Sequence, residues 1–155
     1  MKISAYAILF SAIGLVVGYF SSLLQTEALA QWYPLLNKPS ATPNGWVFGV
    51  AWTAIYILSG ISIAIVAASD SPRKGFFIRL FTIILAMNFL WSALFFQMRN
   101  PTAALVEVAM LDAALVFYTV HIWKTGFKTS AILFLPYPIW CAFATYLNAY
   151  IAIAN

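Results

Sequence analysis

Long apolar stretches separated by short polar segments dominate the chain. A helix needs about 20 apolar residues to cross roughly 30 Å of hydrocarbon, and five stretches reach that length. Proline occurs in the first turn of two of them, where it is tolerated. The pattern predicts an all-α integral membrane protein, a single domain built as a five-transmembrane-helix bundle. The predicted spans are residues 3–24, 43–69, 76–98, 101–123 and 130–154.

The connections between the spans predict the topology. Three of them are short, whereas residues 25–42 (QTEALAQWYPLLNKPSAT) form one long loop. Neighbouring spans therefore run antiparallel, and the two termini lie on opposite sides. Cations collect on the cytoplasmic side of membrane proteins. Six cations fall on the side of the N-terminus and two on the other side; they are Lys2, Arg73, Lys74, Arg79, Lys124 and Lys128 against Lys38 and Arg99. We therefore expect a cytoplasmic N-terminus and a long loop on the opposite side.

A cleaved signal peptide is the alternative interpretation of the first apolar stretch. Lys2 would supply its charged start, and Ala28-Leu29-Ala30 would fit a cleavage site with small residues. The uncharged run from Ile3 to Leu24 is longer than the 7–15 residues that are usual in such peptides. We therefore favour a retained transmembrane helix.

Composition narrows the possible functions. Hydrophobic residues make up 64% of the chain and charged residues 8%, against about 45–50% and about 25% in soluble domains. These values exclude a soluble enzyme, a disordered chain and a nucleic-acid-binding module. The lone Cys141 excludes an intrachain disulfide and favours a small core residue. His121 is the only histidine, either a haem ligand or an interfacial polar residue. No metal site and no cofactor are predicted.

Small residues mark the helix faces that approach other helices closely. Gly14 and Gly18 lie four residues apart on the first span, extended by Ser11 and Ser22, and Gly45 and Gly49 repeat the spacing on the second. Such pairs let helix backbones come together in membranes. We expect packing within the bundle, although a stripe could instead serve a dimer interface.

Polar side chains inside the spans are costly unless they find a partner. At 1.5 Å per residue, Asn88 and Asp112 lie roughly 16–18 Å deep, near the midplane, and Glu107 lies about 9 Å from the long-loop side. The carboxylates of Glu107 and Asp112 point about 140° apart around the helix and do not form a pair. Asp112 is either a proton relay or ligand contact, or one end of an interhelical hydrogen bond.

Tryptophans inside the spans are a second signal. Trp32, Trp46 and Trp123 stand at span ends, where an aromatic belt accounts for them. Trp52, Trp91 and Trp140 lie within spans and share helix faces with other aromatic residues or with Asn88. Their spacing is compatible with core packing or with an apolar pocket for a flat aromatic ligand.

Three motifs point to a known family. Residues 32–43 read WYPLLNKPSATP and lead into WVFGVAWT at 46–53, residues 88–96 read NFLWSALFF, and residues 135–148 read LPYPIWCAFATYLN. Together these motifs are specific, and over nearly its whole length the chain resembles the translocator protein family, also called tryptophan-rich sensory proteins or peripheral-type benzodiazepine receptors. The resemblance implies a five-helix bundle, usually a homodimer, with a pocket that opens toward the long loop.

The resemblance also implies a ligand class and a set of site residues. Members bind porphyrins such as protoporphyrin IX, some degrade protoporphyrin in light, and animal members bind cholesterol. Trp52 and Trp140 match the tryptophans linked to porphyrin photochemistry, and Glu107 matches an acidic position on the fourth helix. The ligand-binding residues carried over are Tyr33, Pro43, Phe48, Trp52, Asn88, Trp91, Ser92, Phe95, Trp140, Ala144 and Leu147.

Two departures from the family pattern matter. The loop usually reads Lys-Pro-x-Trp-x-Pro-Pro, but Ala41 and Asn44 replace the tryptophan and the last proline. One aromatic ligand contact is thereby lost. No Lys or Arg follows Tyr146 or Tyr150, so the weak cholesterol pattern does not form. Specific cholesterol binding is not predicted.

Three functional hypotheses follow. The first is a membrane receptor or translocator for porphyrin-type tetrapyrroles and related flat apolar ligands, in a regulatory or stress-related role. The second is a light- and oxygen-dependent porphyrin-degrading enzyme, in which Trp52 and Trp140 supply or trap electrons. The third is a proton-coupled transporter of small lipophilic solutes that uses Asp112. The expected partners are an aromatic small molecule, membrane lipid and a second copy of the chain, and not nucleic acid.

Overall fold

A computed structural model describes residues 2–155, and all regular structure in that range is helical. Five helical segments are long and apolar enough to cross a membrane, the last of them formed by two consecutive helices. The predicted all-α bundle of five spans is confirmed. The helices are α1 (Lys2–Gln31), α2 (Gly45–Ala67), α3 (Lys74–Ser92), α4 (Pro101–Lys124), α5 (Lys128–Phe134) and α6 (Pro136–Ala154).

The first helix is longer than predicted and continues to Gln31 instead of ending near Leu24. The end of the apolar stretch marks where the chain leaves the hydrocarbon, but helical hydrogen bonding can continue beyond that point. Ala28 lies in this extension and packs into a small cluster with Phe95 and Phe96, which holds the added turns in place. The long loop is therefore limited to residues 32–44, and the Ala28–Ala30 segment lies inside a continuous helix.

The fifth span is interrupted where a single helix is predicted. α5 ends at Phe134 and α6 begins at Pro136. Pro136 and Pro138 have no N–H, so the carbonyl oxygens of Ile132 and Phe134 lose their usual helical donors at the start of α6. The Leu135 N–H bonds both to the carbonyl oxygen of Ala131 (3.1 Å), its usual helical acceptor, and to that of Ile132 (3.2 Å), a contact that tightens the last turn of α5.

The five spans form a closed ring. α1 packs along α2, α2 contacts α5 and α6, these two contact α4, α4 contacts α3, and α3 returns to α1. The main hydrophobic core fills the half of the ring near the 70–75 and 124–129 connections, with Phe81, Leu115, Tyr118 and Phe134 among its members. The other half, below the long loop, is less tightly filled.

Small residues set the contact between α1 and α2. Ideal Cβ positions on Gly14 and Gly18 would lie 3.1 Å and 2.5 Å from side-chain atoms of Tyr56, which confirms the predicted close approach on α1. Gly45 and Gly49 have no such neighbour within 4 Å, so the expected close packing within the bundle is wrong for this pair, whereas an interface between two copies stays a prediction. The closest approach on α2 instead falls at Gly60.

Candidate functional site

A cavity of about 500 Å³ lies in the loop-facing half of the bundle, between α1, α2, α3 and α6. Its volume falls in the range of small-molecule sites, about 300–1,000 Å³. The cavity brings together ten of the eleven residues for which ligand binding is predicted. They are Tyr33, Pro43, Phe48, Trp52, Asn88, Trp91, Ser92, Phe95, Ala144 and Leu147.

Stacked aromatic pairs form two walls of the cavity. Trp52 stacks on Tyr56, with ring centres 5.9 Å apart and planes 27° apart. On α3, Trp91 stacks on Phe95 at 5.2 Å and 23°. All four rings border the cavity. They offer extended flat surfaces to a ligand, and offset stacking is a favourable geometry for aromatic groups.

Trp140 is the eleventh predicted residue and does not border the cavity. Its ring packs edge-on against Phe48, with centres 5.7 Å apart, and Phe48 does border it. Trp140 lies one helical turn from Ala144 on the same face of α6, as predicted. The cavity, however, does not extend as deep as Trp140. The indole N–H of Trp140 is buried and has no hydrogen-bond partner among residues 2–155.

Hydrogen bonds hold the polar residues around the cavity. The Tyr56 hydroxyl donates to Asn88 Oδ1 at 2.7 Å. Trp91 Nε1 donates to Asn148 Oδ1 at 2.9 Å. The Asn148 side chain in turn donates to the Pro101 carbonyl at 2.8 Å. These bonds fix Trp91 and Asn88 in orientation, so the aromatic wall is preformed.

The first helix contributes a polar strip that our sequence analysis did not include. Ser21, Ser22 and Gln25 border the cavity, and Gln25 Nε2 donates to Ser92 Oγ at 3.3 Å. Ser21 Oγ is buried without a partner in the described chain and can donate to a ligand. The spacing of Gly18, Ser21 and Gln25 places all three on one helix face, a signal that the sequence does carry.

A π-helical turn over Ala93–Gln97 ends the third span beside the cavity. Such turns are rare and frequently occur at functional sites. This one carries Phe95 and Phe96 to the long loop, where Trp32 packs against Phe95 at 5.6 Å. Tyr33 lies 6.0 Å from the Phe96 ring. The loop and the end of the third span thus form one aromatic rim.

Side-chain contacts order the long loop over this rim. Lys38 Nζ donates to the carbonyl oxygens of Tyr33 (2.8 Å), Leu36 (3.0 Å) and Pro34 (3.4 Å). Burial raises the pKa of the Tyr33 phenol, so its hydroxyl stays neutral.

The loop is also tied to the end of α6 by an amide clasp between Asn37 and Asn155. The Asn37 N–H donates to Asn155 Oδ1 at 2.9 Å, and Asn155 Nδ2 donates to the Asn37 carbonyl at 3.2 Å. The clasp joins the loop to the last turn of the bundle.

The acidic residues of α4 lie outside the cavity. Asp112 Oδ2 accepts a 2.7 Å hydrogen bond from Thr145 Oγ1 on α6, the interhelical bond that was one of the two interpretations. Glu107 is 3% exposed, and neither of its carboxyl oxygens has a partner in residues 2–155. His121 packs on Phe117 away from the cavity, and Cys141 is a buried core residue.

Comparison with known proteins identifies the family. A model of the TspO/MBR family matches residues 8–154, nearly the whole chain. The chain belongs to the TspO/MBR family. The five apolar spans and this membership make it an integral membrane protein.

Members of the family match this chain over most of their own length. The tryptophan-rich protein TspO of Archaeoglobus fulgidus is 39% identical over 145 residues, covering 91% of either chain. The human translocator protein is 33% identical over 140 residues, 88% of this chain and 80% of its own. The tryptophan-rich sensory protein of Cereibacter sphaeroides is 33% identical over 123 residues, covering 76% and 73%.

Proposed function

We propose that the protein is a membrane receptor for porphyrin-type tetrapyrroles, such as protoporphyrin IX, and for related flat apolar ligands. The observation that carries the proposal is the preformed cavity with two stacked aromatic walls. A ligand ring stacks between the Trp52–Tyr56 and Trp91–Phe95 pairs. Asn88 and Ser21 supply hydrogen bonds at the polar edge of the cavity.

A titration in the dark tests this receptor function. The protein in nanodiscs of neutral lipid is titrated with protoporphyrin IX, and tryptophan fluorescence is followed. We expect saturable quenching at low micromolar concentration, because Trp52 and Trp91 border the cavity directly. Empty nanodiscs correct for porphyrin that partitions into lipid. Quenching that rises linearly without saturation would contradict the proposal.

A second candidate function is light- and oxygen-dependent breakdown of the bound porphyrin. It is favoured by the place of Trp52, which borders the cavity and stacks on Tyr56. The porphyrin absorbs the light, oxygen is the oxidant, and Trp52 supplies or traps an electron. Trp140 lies behind Phe48, so it would exchange electrons with the porphyrin without touching it.

Conservative variants separate the roles of the two tryptophans. We expect Trp52→Phe to slow the bleaching of porphyrin under illumination several-fold and Trp140→Phe to slow it less, because only Trp52 contacts the cavity. The absorbance spectrum is followed with and without oxygen, at saturating ligand. Trp123→Phe, at an exposed span end, is the control. Bleaching at the wild-type rate in both core variants would rule out the tryptophan mechanism.

We further propose a cytoplasmic N-terminus and a homodimer, as expected from the charge distribution and from the family resemblance. Specific cholesterol binding is not part of the proposed function. Asp112 forms the hydrogen bond with Thr145 that ties α4 to α6, and its carboxyl group lies outside the cavity; proton-coupled transport through Asp112 stays a separate hypothesis.

A further inference from the structure

The cavity wall carries no charged side chain. None of its lining residues, all of which belong to the described chain, is Asp, Glu, Lys, Arg or His. Serine, asparagine and glutamine side chains offer hydrogen bonds but no charge to balance an ion. Burying an unpaired carboxylate among them is strongly unfavourable. Any acidic substituent of a ligand therefore stays at the mouth.

Lys38 is a cation without an acidic partner among the described residues, and it lies beside Tyr33 of the cavity wall on the long-loop side. Within residues 2–155 the only ion pair joins Arg99 to Glu27 at 2.8 Å, which neutralises the other cation on the loop side. Lys38 has no such acidic partner. Its Nζ lies 4.9 Å from the ring centre of Tyr33, a residue that borders the cavity. The Tyr33 ring faces the ammonium group but carries no negative charge, so Lys38 keeps its net positive charge beside the cavity.

Lys38 is also held in a defined position. Its ammonium group is partly buried and donates to three loop carbonyls, so the charge is fixed beside the rim. The contact with the Pro34 carbonyl, at 3.4 Å, is the longest of the three. A carboxylate that approaches from the cavity can replace this weak contact and gain a charge-assisted hydrogen bond.

We propose that Lys38 is a specificity-determining residue that receives a carboxylate on one edge of the ligand. The site then selects flat ring systems that carry acidic groups on one edge and are apolar elsewhere. The apolar edge enters between the aromatic walls, and the acidic edge remains at the long loop. This inference rests on the proposed receptor function and specifies the orientation of its ligand.

The experiment compares protoporphyrin IX, which has two carboxylates, with its dimethyl ester. Both are titrated against the wild type, Lys38→Gln, Lys38→Arg and Lys128→Gln in neutral nanodiscs. The acid-to-ester affinity ratio is compared between proteins, so that differences in lipid partitioning cancel. Lys38→Gln should lower the ratio about five-fold, as expected for one partly exposed ion pair. Lys38→Arg should keep it, as should Lys128→Gln at the opposite end of the bundle.

Salt provides a second measurement. Raising the ionic strength should weaken binding of the acid to the wild type and leave the ester unchanged, because exposed charges are screened. An unchanged ratio in Lys38→Gln overturns the inference. Equal weakening of both ligands also overturns it, since it assigns Lys38 to loop structure alone. If both ligands bind saturably and the acid-to-ester affinity ratio is the same in Lys38→Gln and the wild type, the receptor function stands and only this inference fails. If neither ligand binds saturably, the receptor function fails as well.

Discussion

Replacing Ala144 by leucine should lower the affinity for protoporphyrin IX at least ten-fold. Ala144 is 8% exposed and borders the cavity on α6. Its methyl group leaves the space that a ring system needs between the aromatic walls. The added carbons of leucine project into that space, and a ligand that no longer fits must displace them. Overpacking of this kind typically costs about 1–3 kcal/mol, or about five-fold to 150-fold in affinity, and we expect the upper part of that range because the added carbons fill ligand space.

Ala142→Leu is the matched control for this variant. Ala142 stands two residues away on the same helix but is exposed at the lipid-facing surface. It introduces the same side chain without entering the cavity, so affinity should stay at the wild-type value. Both variants are titrated by tryptophan quenching, and thermal unfolding checks that α6 remains folded. Equal affinity of Ala144→Leu and the wild type would place the ligand elsewhere.

The second large effect concerns stability and arises at Gly60. A Cβ atom built on Gly60 would lie 2.5 Å from the backbone N and 2.6 Å from the Cα of Ser11. A side-chain clash can be relieved by rotation, but this clash is with backbone, so α1 and α2 must separate. We expect Gly60→Ala to destabilise the protein by about 3 kcal/mol, at the upper end for overpacking. The melting temperature in detergent should fall by roughly 6–12 °C.

Gly49→Ala, on the same helix, should not lower the melting temperature. No atom outside the helix lies within 4 Å of the added methyl group. Alanine also favours the helical state over glycine by up to about 1 kcal/mol. We therefore expect an unchanged or slightly higher melting temperature. A loss at Gly49 as large as that at Gly60 would show that the α1–α2 contact is not the cause.

The sequence was a good guide to the spans and to most of the cavity wall, and the reasons are physical. Apolar stretches of membrane length have few alternatives to a helix. Aromatic and polar residues at helical spacing share a face, and this rule placed Trp52 with Phe48 and Asn88 with Trp91. The rule fixes direction but not depth, which is why Trp140 was placed on the wall when it lies behind Phe48.

Other features depended on contacts that no local pattern reveals. The length of α1 follows from packing of Ala28 against the π-helical turn, far away in sequence. The backbone contact at Gly60 depends on how α1 crosses α2, and one glycine in an apolar span does not reveal its partner. The polar strip at Ser21 and Gln25 was visible in the spacing, but it gained meaning only when α1 was found beside the cavity.

The amide clasp between Asn37 and Asn155 has a practical consequence for handling the protein. Any polypeptide continued past Asn155 begins directly beside the segment that covers the ligand cavity. A purification tag or fluorescent fusion attached there would pull on the clasp and alter ligand exchange. The first turn of α1 lies at the other end of the bundle, remote from the cavity. Binding measurements are therefore best made with fusions at that end.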